Sequence, residues 1–114
     1  MSQIGKLEAK VKLSVKNPSS EGGSMFGSGV AELCVGVREL GSLNAAAKRM
    51  GMAYSKAWRI VRDTEADLGL ALLSRDGAHG STLTEDGNKL LDAYLEIEEL
   101  LNAKARDMLA ELCR

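Results

Sequence analysis

Apolar and polar positions alternate between Lys10 and Lys16, where Val11, Leu13 and Val15 are separated by lysine and serine. A period of two is that of a half-buried strand, so residues 10–16 are expected to form an N-terminal strand. Asn17-Pro18-Ser19-Ser20 and the glycines that follow end it, because proline has no ladder donor and glycine and serine favour loop. The period then changes. Val30, Leu33, Cys34, Val37 and Leu40 fall on one face of a helix over about 27–40, with Gly41 as its C-terminal cap. A second helix, rich in alanine, is expected over about 44–50, capped by Ser42 or Asn44. Gly51 breaks it. A third runs over about 55–68, with Ala57, Trp58, Val61 and Leu68 inward, and stops at Gly69. Residues 71–75 and 81–83 read as two short strands around Asp76-Gly77-Ala78-His79-Gly80, a turn by composition. Thr84 then caps a last helix that meets no breaker after Gly87 and reaches about Leu112.

This order has a consequence for fold class. Two short helices around a glycine-containing turn make a helix-turn-helix over 42–68. Its steep crossing needs a tiny residue at the contact, which Ala47 supplies, and a turn residue that tolerates positive φ, which Gly51 supplies. Apolar Met50, Met52, Ala57 and Ile60 flank the turn and line the second helix. The hairpin over 71–83 adds a wing. The expected fold is therefore mainly α with a small β-sheet: one winged helix-turn-helix domain over 1–114. Its last helix, over 85–112, is long enough to be a dimerisation element. Leu90, Tyr94, Ile97, Leu101, Met108 and Leu112 make a heptad-like seam along it, with Ala105 filling the gap. About 28 residues at a rise of 1.5 Å give about 42 Å, more than a small domain can cover. Gly36, inside the first helix, is expected to permit close helix approach, with a dimer interface as one place for it.

Composition narrows the function. The chain has 114 residues, 45% hydrophobic and 27% charged, with four aromatics, so one domain with an aliphatic core is expected. No apolar run approaches the ~20 residues of a membrane span, and Met1–Lys16 has no secretory apolar region, so the expected compartment is the cytoplasm. Cys34 and Cys113 form no C-x-x-C pair. Cys34 reads as a small core residue and Cys113 as a free surface thiol. His79 is the only histidine and lacks the company a metal site needs. With no nucleophile–base pair, phosphate loop or metal set, neither an enzyme nor a cofactor is expected.

Charge changes the picture more. A formal net charge of −1 conceals a segregation. Residues 1–39 are net +1, residues 40–62 hold five cations and no acid, and residues 63–114 are net −7. The acid-free block is the helix-turn-helix. A local concentration of cations is what a phosphate backbone requires. Lys48, Arg49 and Arg62 are placed to hold phosphates. Tyr54, Ser55, Lys56 and Arg59 project from the N-terminal half of the second helix, where a recognition helix meets base edges. Arg75 and His79 can extend the contact from the wing. The acidic face of the last helix, Asp92, Glu96, Glu98 and Glu99, belongs away from the duplex. The expected partners are double-stranded DNA and a second copy of the chain. The rival reading is a winged helix that serves as a protein-interaction module.

Three segments also carry a family likeness: G-S-L-N-A-A-A-K-R-M-G-M-A-Y-S-K-A-W-R-I-V-R (41–62), L-G-L-A-L-L-S-R (68–75) and T-L-T-E-D-G-N-K-L-L (82–91). They resemble the winged-helix domain of the molybdate-responsive ModE regulators and, more distantly, the N-terminal domain of LysR-type regulators. The Y-S-K-A-W string favours the first. The resemblance implies a dimeric transcriptional regulator on an inverted-repeat operator. In ModE-type regulators oxyanion-binding domains follow this one, whereas this sequence stops at Arg114, so effector sensing is expected from a separate protein if anywhere.

Overall fold

The structure is a computed structural model, and it describes residues 3–75 and 80–114. After a single 3-10 turn at Gln3–Lys6 come α1 (Ser28–Leu40), α2 (Leu43–Arg49), α3 (Tyr54–Leu68), β1 (Leu73–Arg75), β2 (Ser81–Leu83) and α4 (Glu85–Leu112). This is the winged helix-turn-helix order, mainly α with a two-stranded antiparallel sheet. The wing tip, 76–79, which includes His79, lies outside the described residues.

The caps follow local chemistry. Ser42, not Asn44, caps α2: its side chain accepts from Ala45 N at 3.0 Å. Thr84 caps α4 by accepting from Gly87 N at 2.9 Å. Gly41 and Gly69 close α1 and α3 in the left-handed region, and Gly51 turns α2 into α3 at φ 67°. Ala46 and Ala47 are fully buried, Ala46 against Gly36 of α1. Gly36 does permit close approach, but to α2 of its own chain: a Cβ there would lie 2.5 Å from Ala46 Cβ.

The core is aliphatic around Phe26, Leu33, Leu43, Val61, Leu72 and Leu91, with Tyr94 meeting Phe26 edge-on at 5.3 Å. This revises the seam. Tyr94 is buried within its own chain, and Leu90 is half-buried against the same core. Both are spent on the fold, leaving Ile97, Leu101, Met108 and Leu112 exposed along α4. Glu98 also leaves the expected acidic face, because the Tyr94 hydroxyl donates to it at 2.9 Å.

Residues 10–16 are not a strand of any sheet. Val15 and Phe26 exchange backbone hydrogen bonds of 2.9 and 2.8 Å, and the pairing goes no further. The expected alternation survives in Leu13 and Val15, which are half-buried against the core. Past them an α4 side chain stands where a ladder partner would. The Asn102 amide accepts from Val11 N at 2.8 Å and donates to Val11 O at 3.3 Å. A primary amide presents the same donor–acceptor pair as a peptide group, so a helix side chain holds the arm.

The wing is keyed to the helices at its base. The Glu65 carboxylate accepts from Leu72 N at 2.6 Å and Leu73 N at 3.1 Å, Ser81 N donates to Gly41 O at 3.0 Å, and the Thr84 hydroxyl donates to Ala71 O at 2.6 Å. These bonds fix β1 and β2 relative to α1, α3 and α4, and so fix where the wing projects.

Candidate nucleic-acid interface

The α3 helix buries Ala57, Val61 and Thr64 and turns Tyr54, Ser55, Lys56 and Arg59 outward. Thr64 is buried without cost because its hydroxyl donates to Ile60 O at 2.8 Å. The outward set comes from the first turn and a half of the helix, as expected of a recognition helix. Arg62 is exposed on the next turn, and Lys48 is exposed on α2 before the turn.

Lys48, Lys56, Arg59 and Arg62 have no ion pair among the described residues. Their charge is therefore available to an outside partner. Arg49 differs: it pairs with Glu39 on α1 at 2.9 Å, an acid just outside the acid-free block. An outside anion at Arg49 would compete with that pair.

Two features lie beyond the sequence expectations. Arg75, the last residue of β1, lays its guanidinium over the Trp58 ring at 4.3 Å. Trp58 is half-buried, so it serves the core on one side and this stack on the other. Stacking leaves the in-plane N–H donors of Arg75 free and ties the wing to α3. No spacing rule announces a contact between residues 17 apart on different elements. The second feature does leave a signal in the sequence. Ala53 precedes α3 without a side-chain cap, so the first N–H groups of α3 have no capping side chain. Ala53 in place of Ser, Thr, Asp or Asn is that signal, and an uncapped helix start suits a phosphate oxygen.

Among the described residues no group of His, Cys, Asp and Glu is placed to hold a metal ion, and no helix is long and apolar enough to cross a membrane.

Residues 31–88 match the family described as bacterial regulatory helix-turn-helix protein, lysR family. Among solved structures, the chain is similar to the CbnR_DBD–DNA complex, with 32% identity and a TM-score of 0.61 over 75% of this chain and 95% of that one. It is also similar to VV2_1132, a LysR family transcriptional regulator, with 26% identity and a TM-score of 0.56 over 67% of this chain and 26% of that one. CbnR, another LysR family transcriptional regulator, is 33% identical with a TM-score of 0.55 over 66% of this chain and 26% of that one. The chain thus spans about a quarter of the length of these last two regulators. No curated protein matches it.

Proposed function

Because this chain belongs to the LysR family of bacterial helix-turn-helix regulators, we propose that it binds an inverted-repeat operator as a homodimer and regulates transcription there. The observation that carries this is the outer face of α3. It presents Tyr54, Ser55, Lys56 and Arg59 within a block where four cations have no ion pair among the described residues, and a solved relative of similar fold is a DNA complex. Lys48, Arg62 and Arg75 hold phosphates, with Arg49 joining them when it leaves Glu39. Tyr54, Ser55, Lys56 and Arg59 meet base edges in the major groove. The exposed residues of the α4 seam, Ile97, Leu101, Met108 and Leu112, pair with a second copy. That pairing sets the spacing of the two half-sites.

The finer likeness to molybdate-responsive regulators rests on the string Tyr54-Ser55-Lys56-Ala57-Trp58 alone and concerns the DNA-binding face, whereas the family match and the solved relatives are of LysR type.

The test is a salt titration of binding to selected and scrambled duplexes. Each phosphate contact steepens the log–log slope by about 0.9, so three or four contacts per protomer in a dimer give a slope of about −5 to −7. Weak, salt-insensitive binding to every duplex would instead make this winged helix a protein-interaction module.

A further inference from the structure

We propose that Trp58 is a positioning residue for the DNA face: its ring is the platform that aims the Arg75 guanidinium, and with it the wing, at a phosphate. The proposal rests on the DNA reading above and adds to it a residue that acts through another. Trp58 and Glu65 lie seven residues apart on α3, two turns along one face, or about 10 Å at 1.5 Å per residue. β1 meets α3 at both. The Glu65 carboxylate accepts from Leu73 N at 3.1 Å, and the Arg75 guanidinium lies over the Trp58 ring at 4.3 Å. Leu73 and Arg75 are the two ends of β1. The strand is therefore held to α3 at its first residue by a carboxylate and at its last by a ring. Trp58 is half-buried against the core, so the platform is itself fixed.

A ring does what a carboxylate cannot at this place. Arg49 is paired with Glu39, and that pair cancels its charge. Arg75 has no ion pair among the described residues, and its exposed side chain rests on a π face that attracts a cation without neutralising it. The guanidinium is fixed in direction and stays fully charged, with its N–H donors spread around the edge of its plane. The acids of α3 are otherwise placed: Asp63 has no ion pair among the described residues, Glu65 accepts from the wing backbone, and Asp67 accepts from Ser24 N at 2.8 Å. Asp76, next in the chain, lies outside the described residues. By helical spacing Ser55 and Arg62 flank Trp58 on the same face. The stack therefore brings a cation from β1 to the edge of the face that α3 presents, beside residues assigned to the duplex.

The experiment is a double-mutant cycle on the full chain, read as the salt slope of binding to selected and scrambled duplexes. In the parent, Arg75→Ala should flatten the slope by about 0.9 per chain, one phosphate contact. In the Trp58→Leu background the same replacement should change it by less than about half of that, because the guanidinium has lost its fixed direction. Trp58→Phe keeps an aromatic face and should restore most of the Arg75 contribution. The ratio of selected to scrambled affinity should stay near the parent's throughout, since neither residue is assigned to a base. A second readout needs no DNA. Trp58 is the only tryptophan, so Arg75→Ala should shift the emission spectrum of the folded chain. This readout and Trp58→Phe keep the test decisive where Trp58→Leu fails to fold. An Arg75→Ala effect of equal size with and without the ring would overturn the positioning role and leave the DNA reading standing. An unmoved emission spectrum would do the same. A parent without salt-dependent duplex binding would overturn the DNA reading itself, and this proposal with it.

Discussion

Position 36 sets how closely α1 and α2 approach. Any side chain there meets Ala46 Cβ, at 2.5 Å for the first carbon alone. Valine adds two further carbons where neither helix backbone can yield, and overpacking of that kind costs about 1–3 kcal/mol. Gly36→Val should lower the urea midpoint accordingly; an unchanged midpoint would mean the helices have room to part. The cations divide by role. Arg59 lies on the outer face of α3, where its fork suits guanine O6 and N7, and Arg59→Ala should cost about 1–3 kcal/mol on the selected site while relaxing preference at one position. Lys48→Ala should weaken selected and scrambled duplexes alike. It should also flatten the salt slope by about 0.9 for each phosphate no longer neutralised, twice over in a dimer. Equal weakening on both duplexes for Arg59→Ala would remove Arg59 from the base-reading set. Burial, with Glu65 adding to it, pushes the Cys34 thiol up to about 12 from 9.0. The native state holds this proton more tightly than the unfolded chain does. The resulting stability is complete below about pH 9 and is lost as pH rises towards 12. Thermal melting across that window should fall less steeply for Cys34→Ala than for the parent.

At the scale of elements, α4 divides its labour by face. Leu91 and Tyr94 enter the core, Asn102 holds the arm, and Ile97, Leu101, Met108 and Leu112 remain exposed. An apolar strip this long on a monomer marks an interface. Ile97→Asp or Leu101→Asp should convert a dimer into a folded monomer by sedimentation and weaken operator binding, since linked half-sites bind far better than one. A parent protein that sediments as a monomer at tens of micromolar would sink the pairing. The helices were legible because each is bracketed by residues with a single physical use: Ser42, Gly51, Gly69, Thr84. The 10–16 segment was legible in its alternation but not in its partner. Period two reports which side is buried and is silent on whether a strand or an asparagine lies alongside. The seam was half legible for a related reason. Heptad spacing selects a face, and Tyr94 shares that face with Ile97, but only packing shows that the first turns are already covered by α1 and Phe26. On the DNA face, burial periodicity placed Lys56 and Arg59 outward, whereas the Glu39–Arg49 and Arg75–Trp58 contacts join separate elements and left no periodic trace.

At the scale of the whole molecule, the chain is elongated, 59 × 33 × 22 Å. The cations of the helix-turn-helix lie within the acid-free block, and the helix that runs beyond the core belongs to the segment of net −7. Residues 31–88 match a helix-turn-helix family, so micromolar molybdate or tungstate should move neither the melting temperature nor the DNA affinity of this chain. A saturable shift would place an oxyanion site within these residues. The charge division bears on the time before contact as well as after it. Lys48, Lys56, Arg59 and Arg62 are exposed around the helix-turn-helix while the segment that includes α4 is net −7, so the molecule carries its charge unevenly. A duplex is a line of negative charge, so it exerts torque on such a body at distances near the Debye length, about 8 Å in physiological salt. A copy drifting in with its acidic helix foremost is pushed off and rotated, and one arriving with α3 foremost is drawn in. On the proposed reading, encounters with a duplex therefore begin with most collisions already facing the right way, before any base edge has been touched.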